Sequence, residues 1–329
     1  MPGPAPLRSA WQMVIYFASV TLSVRNVAVA AALSAALCTA LTGCGGGSGS
    51  SAAGSGAGHQ AARMGTPGAS VPPSAAASAG APQAAGSAAA AAPPPAKAPT
   101  LAPGPNGLTP VFERAKQQSD KTVALTFDAD MTSDQGQRAA DGEHFDNPQL
   151  ISTLRTLKVP STVFMTGRWA EEYPDQAKAI GTDPNFEIAN HSYSHHAFTS
   201  PCYGLPALDA AAARADVDRA FAAFRTAGAV NTVPYFRFPG GCYDDQALRA
   251  ISTAKVTAVQ WDVVSGDAFA KDPDAVAEQV LTGVKPGSVV VMHCTRSAAP
   301  VTEEAIHKIV PELRKRGYRF VKVSELIGK

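Results

Sequence analysis

Asn190-His191-Ser192-Tyr193-Ser194-His195-His196 sets two histidines four residues apart, close enough for both imidazoles to reach one divalent ion. The run follows a short apolar segment, Phe186-Glu187-Ile188-Ala189, and Pro201 comes soon after. The histidines are therefore expected just past a strand end, on a loop or a single helical turn. Imidazole suits Zn, Co, Ni or Fe(II), and a mononuclear catalytic site needs a carboxylate as third protein ligand and one position open to water. On its own a His-x-x-x-His pair more often belongs to a polar surface turn. The question is whether carboxylates and another histidine arrive at other strand ends.

Working outward, Thr122 to Phe127 is a β-rich run that ends in Asp128-Ala129-Asp130. Further strands are expected at Ser161 to Met165, Phe186 to Ala189, Val233 to Phe238, Val256 to Trp261, Ser288 to Met292 and Tyr318 to Val323. Between them, helical patterns are expected from Pro148 to about Leu157, Arg168 to Ala179, Leu208 to Ala227, Asp245 to Ala254, Pro273 to Leu281 and Glu303 to Arg316. Pro148 and Pro273 suit a first helical position, and Asp272 is placed to cap its helix. Strands alternating with helices imply a parallel sheet, and continuous apolar strands imply burial on both faces. Seven such units predict an α/β fold, a distorted (β/α)7 barrel, with an open doubly wound sheet as the rival.

Placement says more than the count. Asp128, Asp130, His191, His195, Arg237, Asp267 and His293 all fall at or just beyond the C-terminal ends of expected strands. In parallel α/β folds catalytic groups collect on that rim. A divalent ion held by His191, His195 and a carboxylate would polarise a carbonyl and activate water. Asp128 is then suited to act as general base, and His293 to protonate a leaving amine. Asp267 would fix the His293 tautomer, Arg237 would pair with Asp128, and a backbone N–H near Gly241 would help hold an oxyanion.

With those residues in place, the pattern resembles the polysaccharide deacetylases with NodB homology, carbohydrate esterase family four. Five motifs over roughly Lys121 to Leu326 carry the resemblance: Thr126-Phe127-Asp128-Ala129-Asp130, His191-Ser192-Tyr193-Ser194-His195, Arg237-Phe238-Pro239-Gly240-Gly241, Trp261 through Asp267, and Val291-Met292-His293. The resemblance implies the roles given above: Asp128, His293, Arg237 and Asp267 as catalytic residues, and a metal site at Asp130, His191 and His195. It departs from the family where a metal-binding aspartate is usual and Ala129 stands instead. Either Asp130 takes over, or Asp128 itself binds the metal and another group serves as base. Val291 replaces the usual Leu, and Ala268 follows Asp267 where Trp is common, which alters the apolar wall around the substrate. The implied cofactor is Zn, with Co or Ni as alternatives. The implied reaction is removal of N-acetyl groups from an amino-sugar polymer. The alternatives are O-acetyl esterase action on a xylan-type polysaccharide and a catalytically silent glycan-binding envelope lipoprotein.

The first 105 residues hold four basic and no acidic residues, which leaves 24 basic against 27 acidic in the rest. That balance excludes a nucleic-acid-binding footprint. Arg25, the apolar run from Val27 to Leu41 and the closing Leu41-Thr42-Gly43-Cys44 are expected to form a lipoprotein signal over residues 1–44, with lipid on Cys44. The stretch before Arg25 is long for such a signal, so the true start codon is expected downstream. Residues 45–107, built from Ala, Gly, Ser and Pro, are expected to be a disordered linker, and 108–329 the catalytic domain. The chain is thus expected in the cell envelope, facing the periplasm, monomeric and tethered to the outer rather than the inner membrane. Of the cysteines beyond the signal, Cys202 and Cys242 are the expected pair with Cys294 free, and three reduced thiols are the rival.

Overall fold

The computed structural model describes residues 98–116 and 120–328. The expected signal, Cys44 and the linker up to residue 97 lie outside the described residues. Among the described residues there are nine strands: β1 Val111–Phe112, β2 Thr122–Ala129, β3 Ser161–Met165, β4 Phe186–Asn190, β5 Thr232–Phe236, β6 Thr257–Val259, β7 Val263–Val264, β8 Ser288–His293 and β9 Arg319–Phe320. They make one sheet in the order β1-β6-β5-β4-β3-β2-β8-β7, with β9 beside the start of β2. Every strand pairing is parallel. The sheet curls into an incompletely closed barrel, the expected (β/α)7 type rather than an open doubly wound sheet.

The period of two along β2 sorts its side chains. Val123, Leu125, Phe127 and Ala129 enter the layer between sheet and helices, packed with Leu154, Trp169 and Ile306. Ala124 points the other way, into a second cluster with Phe164, Ala189, Tyr235, Val259 and Val289, roughly one residue from each strand. Thr126 and Asp128 share the Ala124 face by alternation, so they stand above an apolar plug at the strands' C-terminal ends.

Several boundaries differ from the sequence expectation for local reasons. The helix expected over 168–179 is two, Gly167–Glu172 and Pro174–Gly181, because Pro174 cannot continue the first. The 208–227 helix covers only Ala213–Thr226, since the Leu208 N–H is engaged by the Ala197 carbonyl. The expected seventh strand shrinks to Arg319–Phe320 because Val323–Ile327 is helical. Val263–Val264, too short to show a period, supplies the far edge strand instead. Packing also begins before residue 108: Ala98 and Leu101 lie against the inner cluster, and Tyr235 Oη donates to the Pro99 carbonyl at 2.7 Å. Leu101 gives that stretch a large apolar group to bury, a kind the Ala/Gly/Ser/Pro tract before it holds only at Met64 and Val71. Among the described residues no helix is long and apolar enough to cross a membrane.

Cys202 and Cys242 form a disulfide with Cα atoms 6.0 Å apart, and Cys294 is a buried free thiol. The bond ties the loop after the histidine pair to the loop after β5. Cys202→Ser should cost about 2–4 kcal/mol of stability, read as a lower urea midpoint, with no such loss when wild type is compared under reducing conditions.

Candidate active site

Four loops and two strand ends build the site. Asp128 is the next-to-last residue of β2 and Asp130 the first beyond it; His191 follows β4 directly, and Arg237 follows β5 directly. Asp267 lies in the loop after β7, and His293 ends β8. The histidine motif is a loop, not a helical turn: Ser192 and His195 adopt left-handed φ values of 70° and 57°. That loop is held by its own side chains. Asn190 Oδ1 accepts from the Ser192 N–H at 2.8 Å, Ser192 Oγ from the His195 N–H at 2.9 Å, and Asp216 Oδ1 from the Tyr193 N–H at 2.7 Å.

Asp130, His191 and His195 converge, with one candidate ligand atom from each lying within 4.8 Å of the others. His191 Nε2 is 3.4 Å and His195 Nε2 3.7 Å from Asp130 Oδ1. Asp128 Oδ2 lies 3.7 Å from His191 Nε2. Strand alternation explains why Ala129 is tolerated: its side chain faces the helix layer, whereas position 130 returns to the Asp128 side. The Asp130 N–H donates to Thr295 Oγ1 at 3.0 Å, which fixes the backbone just past the strand.

These residues fit a divalent cation. Nδ1 of His191 donates to the Arg237 carbonyl at 2.9 Å, so when the ring is neutral its lone pair is on Nε2, the nitrogen that faces Asp130. Asp130 Oδ1 is buried and accepts no hydrogen bond. An unpaired buried carboxylate oxygen is costly, and a cation between it and two imidazoles relieves that cost. Burial opposes ionisation of Asp130, but His195, His191 and His293 outweigh it and hold its carboxyl far below the ordinary value. Burial depresses His195 to about 4, which leaves its ring neutral and able to ligate. His191 is pushed down by burial but raised overall by Asp128 and Asp130, so a proton competes with a cation for this pocket and metal affinity should fall at acid pH.

Asp128 is held on its other side. Arg237 Nη1 donates to Asp128 Oδ1 at 2.6 Å, Nη2 to Thr126 Oγ1 at 2.8 Å and Nε to the Val259 carbonyl at 3.2 Å. The guanidinium is fully buried and stacks over the Phe164 ring at 3.8 Å. Burial lowers the Arg237 pKa from its ordinary value, against the pull of Asp128.

His293 forms the second acid–base pair. Its Nδ1 lies 2.8 Å from Asp267 Oδ1, and its backbone N–H donates to Oδ2 at 2.7 Å. Ser265 and Thr302 hydroxyls also donate to Asp267. Burial would lower the His293 pKa, yet Asp267, aided by Asp130 and Asp128, raises it to about 10. Asp267 is held below its ordinary value because His293 and Thr302 outweigh its burial. The raised histidine stabilises the fold fully below its ordinary pKa of 6.5 and ceases to do so as pH climbs through about 10. The lowered aspartate does so above 3.8 and fails as pH falls through its folded value. In chelated protein, the stability gap between wild type and Asp267→Asn should therefore be widest from about pH 4 to 6.5 and shrink toward pH 10. Thermal melts across pH check this; a gap that grows above pH 8 would contradict it.

Each of the seven rim residues anticipated from the sequence lies in one of these connected groups. The Gly241 N–H does not serve as an oxyanion donor, because it donates to the Phe238 carbonyl at 2.8 Å. Gly241 has another purpose: at φ 71° it lies so close to Trp261 that an added Cβ would sit 2.4 Å from the indole. Sequence reasoning missed Thr126, Ser265, Thr295 and Thr302 as supports; Thr126 and Ser265 lie within motif stretches that could have revealed them, and Thr295 and Thr302 do not.

Residues 115–259 match the family model for polysaccharide deacetylase. The chain carries a polysaccharide deacetylase domain, a hydrolase. A chitooligosaccharide deacetylase of Sinorhizobium fredii is 29% identical over 185 residues, covering 52% of this chain and 80% of that protein. A peptidoglycan-N-acetylglucosamine deacetylase of Bacillus cereus is 28% identical over 212 residues, covering 64% and 89%. Among solved structures, a carbohydrate esterase family 4 pseudoenzyme from Bacillus anthracis superposes with a TM-score of 0.54 at 25% identity, covering 69% of this chain and 70% of that one. The family match ends before Asp267 and His293, so within the deacetylase domain their assignment rests on geometry.

Proposed function

We propose that this deacetylase removes N-acetyl groups from an amino-sugar polymer, using a divalent cation held by Asp130, His191 and His195. The observation that carries the proposal is the buried Asp130 Oδ1, without a hydrogen bond and facing two imidazole nitrogens. The cation, Zn or alternatively Co or Ni, would supply Lewis acidity toward the acetamide carbonyl and lower the pKa of water. Asp128, oriented by Arg237, takes the proton released when water attacks the carbonyl carbon. His293, kept protonated at neutral pH by Asp267, delivers a proton to the departing amine nitrogen at Nε2, the ring nitrogen that Asp267 leaves free. The polymer class follows the chitooligosaccharide and peptidoglycan N-acetylglucosamine deacetylases that the chain resembles.

The test is acetate release from N-acetylglucosamine oligomers with an equal yield of free amines. Chelation should abolish it, and Zn or Co should restore it. Acetate without new amines would mean ester hydrolysis instead. Ala129 and the likeness to a family 4 pseudoenzyme favour a second reading, a silent glycan-binding domain. That reading requires retention on polymer with neither copurified metal nor acetate release. The signal-like segment ending at Cys44 supports export, lipid anchoring in the envelope and action on material beyond the membrane surface.

A further inference from the structure

Two exposed aromatic side chains stand out among the described residues, Phe269 at 81% and Tyr203 at 60% exposure. Single exposed apolar residues are common and need no explanation. These two share a second property. Both hold left-handed backbone, φ 60° for Phe269 and 46° for Tyr203. A bulky side chain at positive φ is disfavoured by contact of its Cβ with the backbone, and glycine would sit there without that cost.

Both also belong to loops already tied to the site. Phe269 is two residues beyond Asp267, and its N–H donates to the Ala298 carbonyl at 2.6 Å. The Ala298 N–H in turn donates to the carbonyl of Thr295, whose hydroxyl receives the Asp130 N–H. Tyr203 follows Cys202, whose disulfide to Cys242 fastens it to the Arg237–Gly241 loop; its ring lies 3.2 Å from where a Gly240 Cβ would be. The Phe269 loop follows β7, at one margin of the sheet, and the Gly240 loop follows β5, toward the other margin. Tyr203 lies in the connection that follows β4 and Phe269 in the one that follows β7, the same connections that carry His191, His195 and Asp267.

We infer that Phe269 and Tyr203 are stacking platforms for the pyranose rings that flank the sugar being deacetylated, and that they make the site selective for polymer over short fragments. An aromatic face offered to water beside the site matches the C–H face of a sugar ring. Strained backbone retained at a functional rim is where such a contact would offset its cost. This inference rests on the proposed reaction, so its test separates the two.

Phe269→Gly in the full, metal-loaded chain should be no less stable in a thermal melt than wild type, because it removes the left-handed penalty. The same variant should lower the ratio of kcat/KM for an N-acetylglucosamine pentamer to that for the dimer, on the order of tenfold and through KM. Phe269→Trp should restore the ratio. Tyr203→Ser should act in the same direction. An unchanged ratio, or a loss in kcat alike at every chain length, would overturn the inference. Should wild type release no acetate from any oligomer, the proposed reaction fails while this inference remains testable by retention on insoluble chitin. Weaker retention of Phe269→Gly would then support the platform, and equal retention would overturn it.

Discussion

Asp130→Asn should bind no stoichiometric Zn and should release acetate on the order of 10³-fold more slowly than wild type, or slower still. Asp128→Asn should keep the metal and lose turnover to a similar degree. The contrast follows from position. Asp130 Oδ1 faces both imidazoles and lacks any other partner, whereas Asp128 Oδ1 is taken by the Arg237 guanidinium. Metal analysis of the purified variants, beside acetate assays, separates ligand from base. Loss of metal from Asp128→Asn with retention in Asp130→Asn would reverse the assignment.

Arg237→Met should destabilise the fold by about 3–5 kcal/mol, the usual cost of leaving one member of a buried ion pair alone. Asp128 would lose its partner, Thr126 Oγ1 and the Val259 carbonyl would lose their donors, and Phe164 would lose the stacked guanidinium. Asp128→Asn on the same background should recover part of the loss, since it removes the stranded charge. Urea unfolding of the two single variants and the double gives the coupling directly. Strict additivity would mean that the pair contributes nothing beyond its separate members.

The barrel and its rim were legible in the sequence because parallel strands buried on both faces leave continuous β-branched runs, and because each run ends in a polar residue. Asp128, His191, Arg237 and His293 could be placed to within a residue of a strand end on that basis. The role of Asp130 could not. Whether position 129 or 130 faces the lumen depends on how far β2 continues, and only the extension of the ladder through Ala129 settles that parity. Val263–Val264 escaped notice because two residues carry no period, and Tyr318 to Val323 looked like a strand until the Val323–Ile327 helix claimed its end. The Thr supports of Asp267 and Asp130 come from loops whose approach no local pattern encodes.

Anomalous scattering at the zinc edge from a crystal of the metal-loaded chain tests the central claim most directly. The account predicts one peak, about 2.0–2.2 Å from His191 Nε2, His195 Nε2 and a carboxylate oxygen of Asp130, with Asp128 still paired to Arg237. A peak coordinated by Asp128 with Asp130 turned away, or no peak between the two imidazoles, would contradict it.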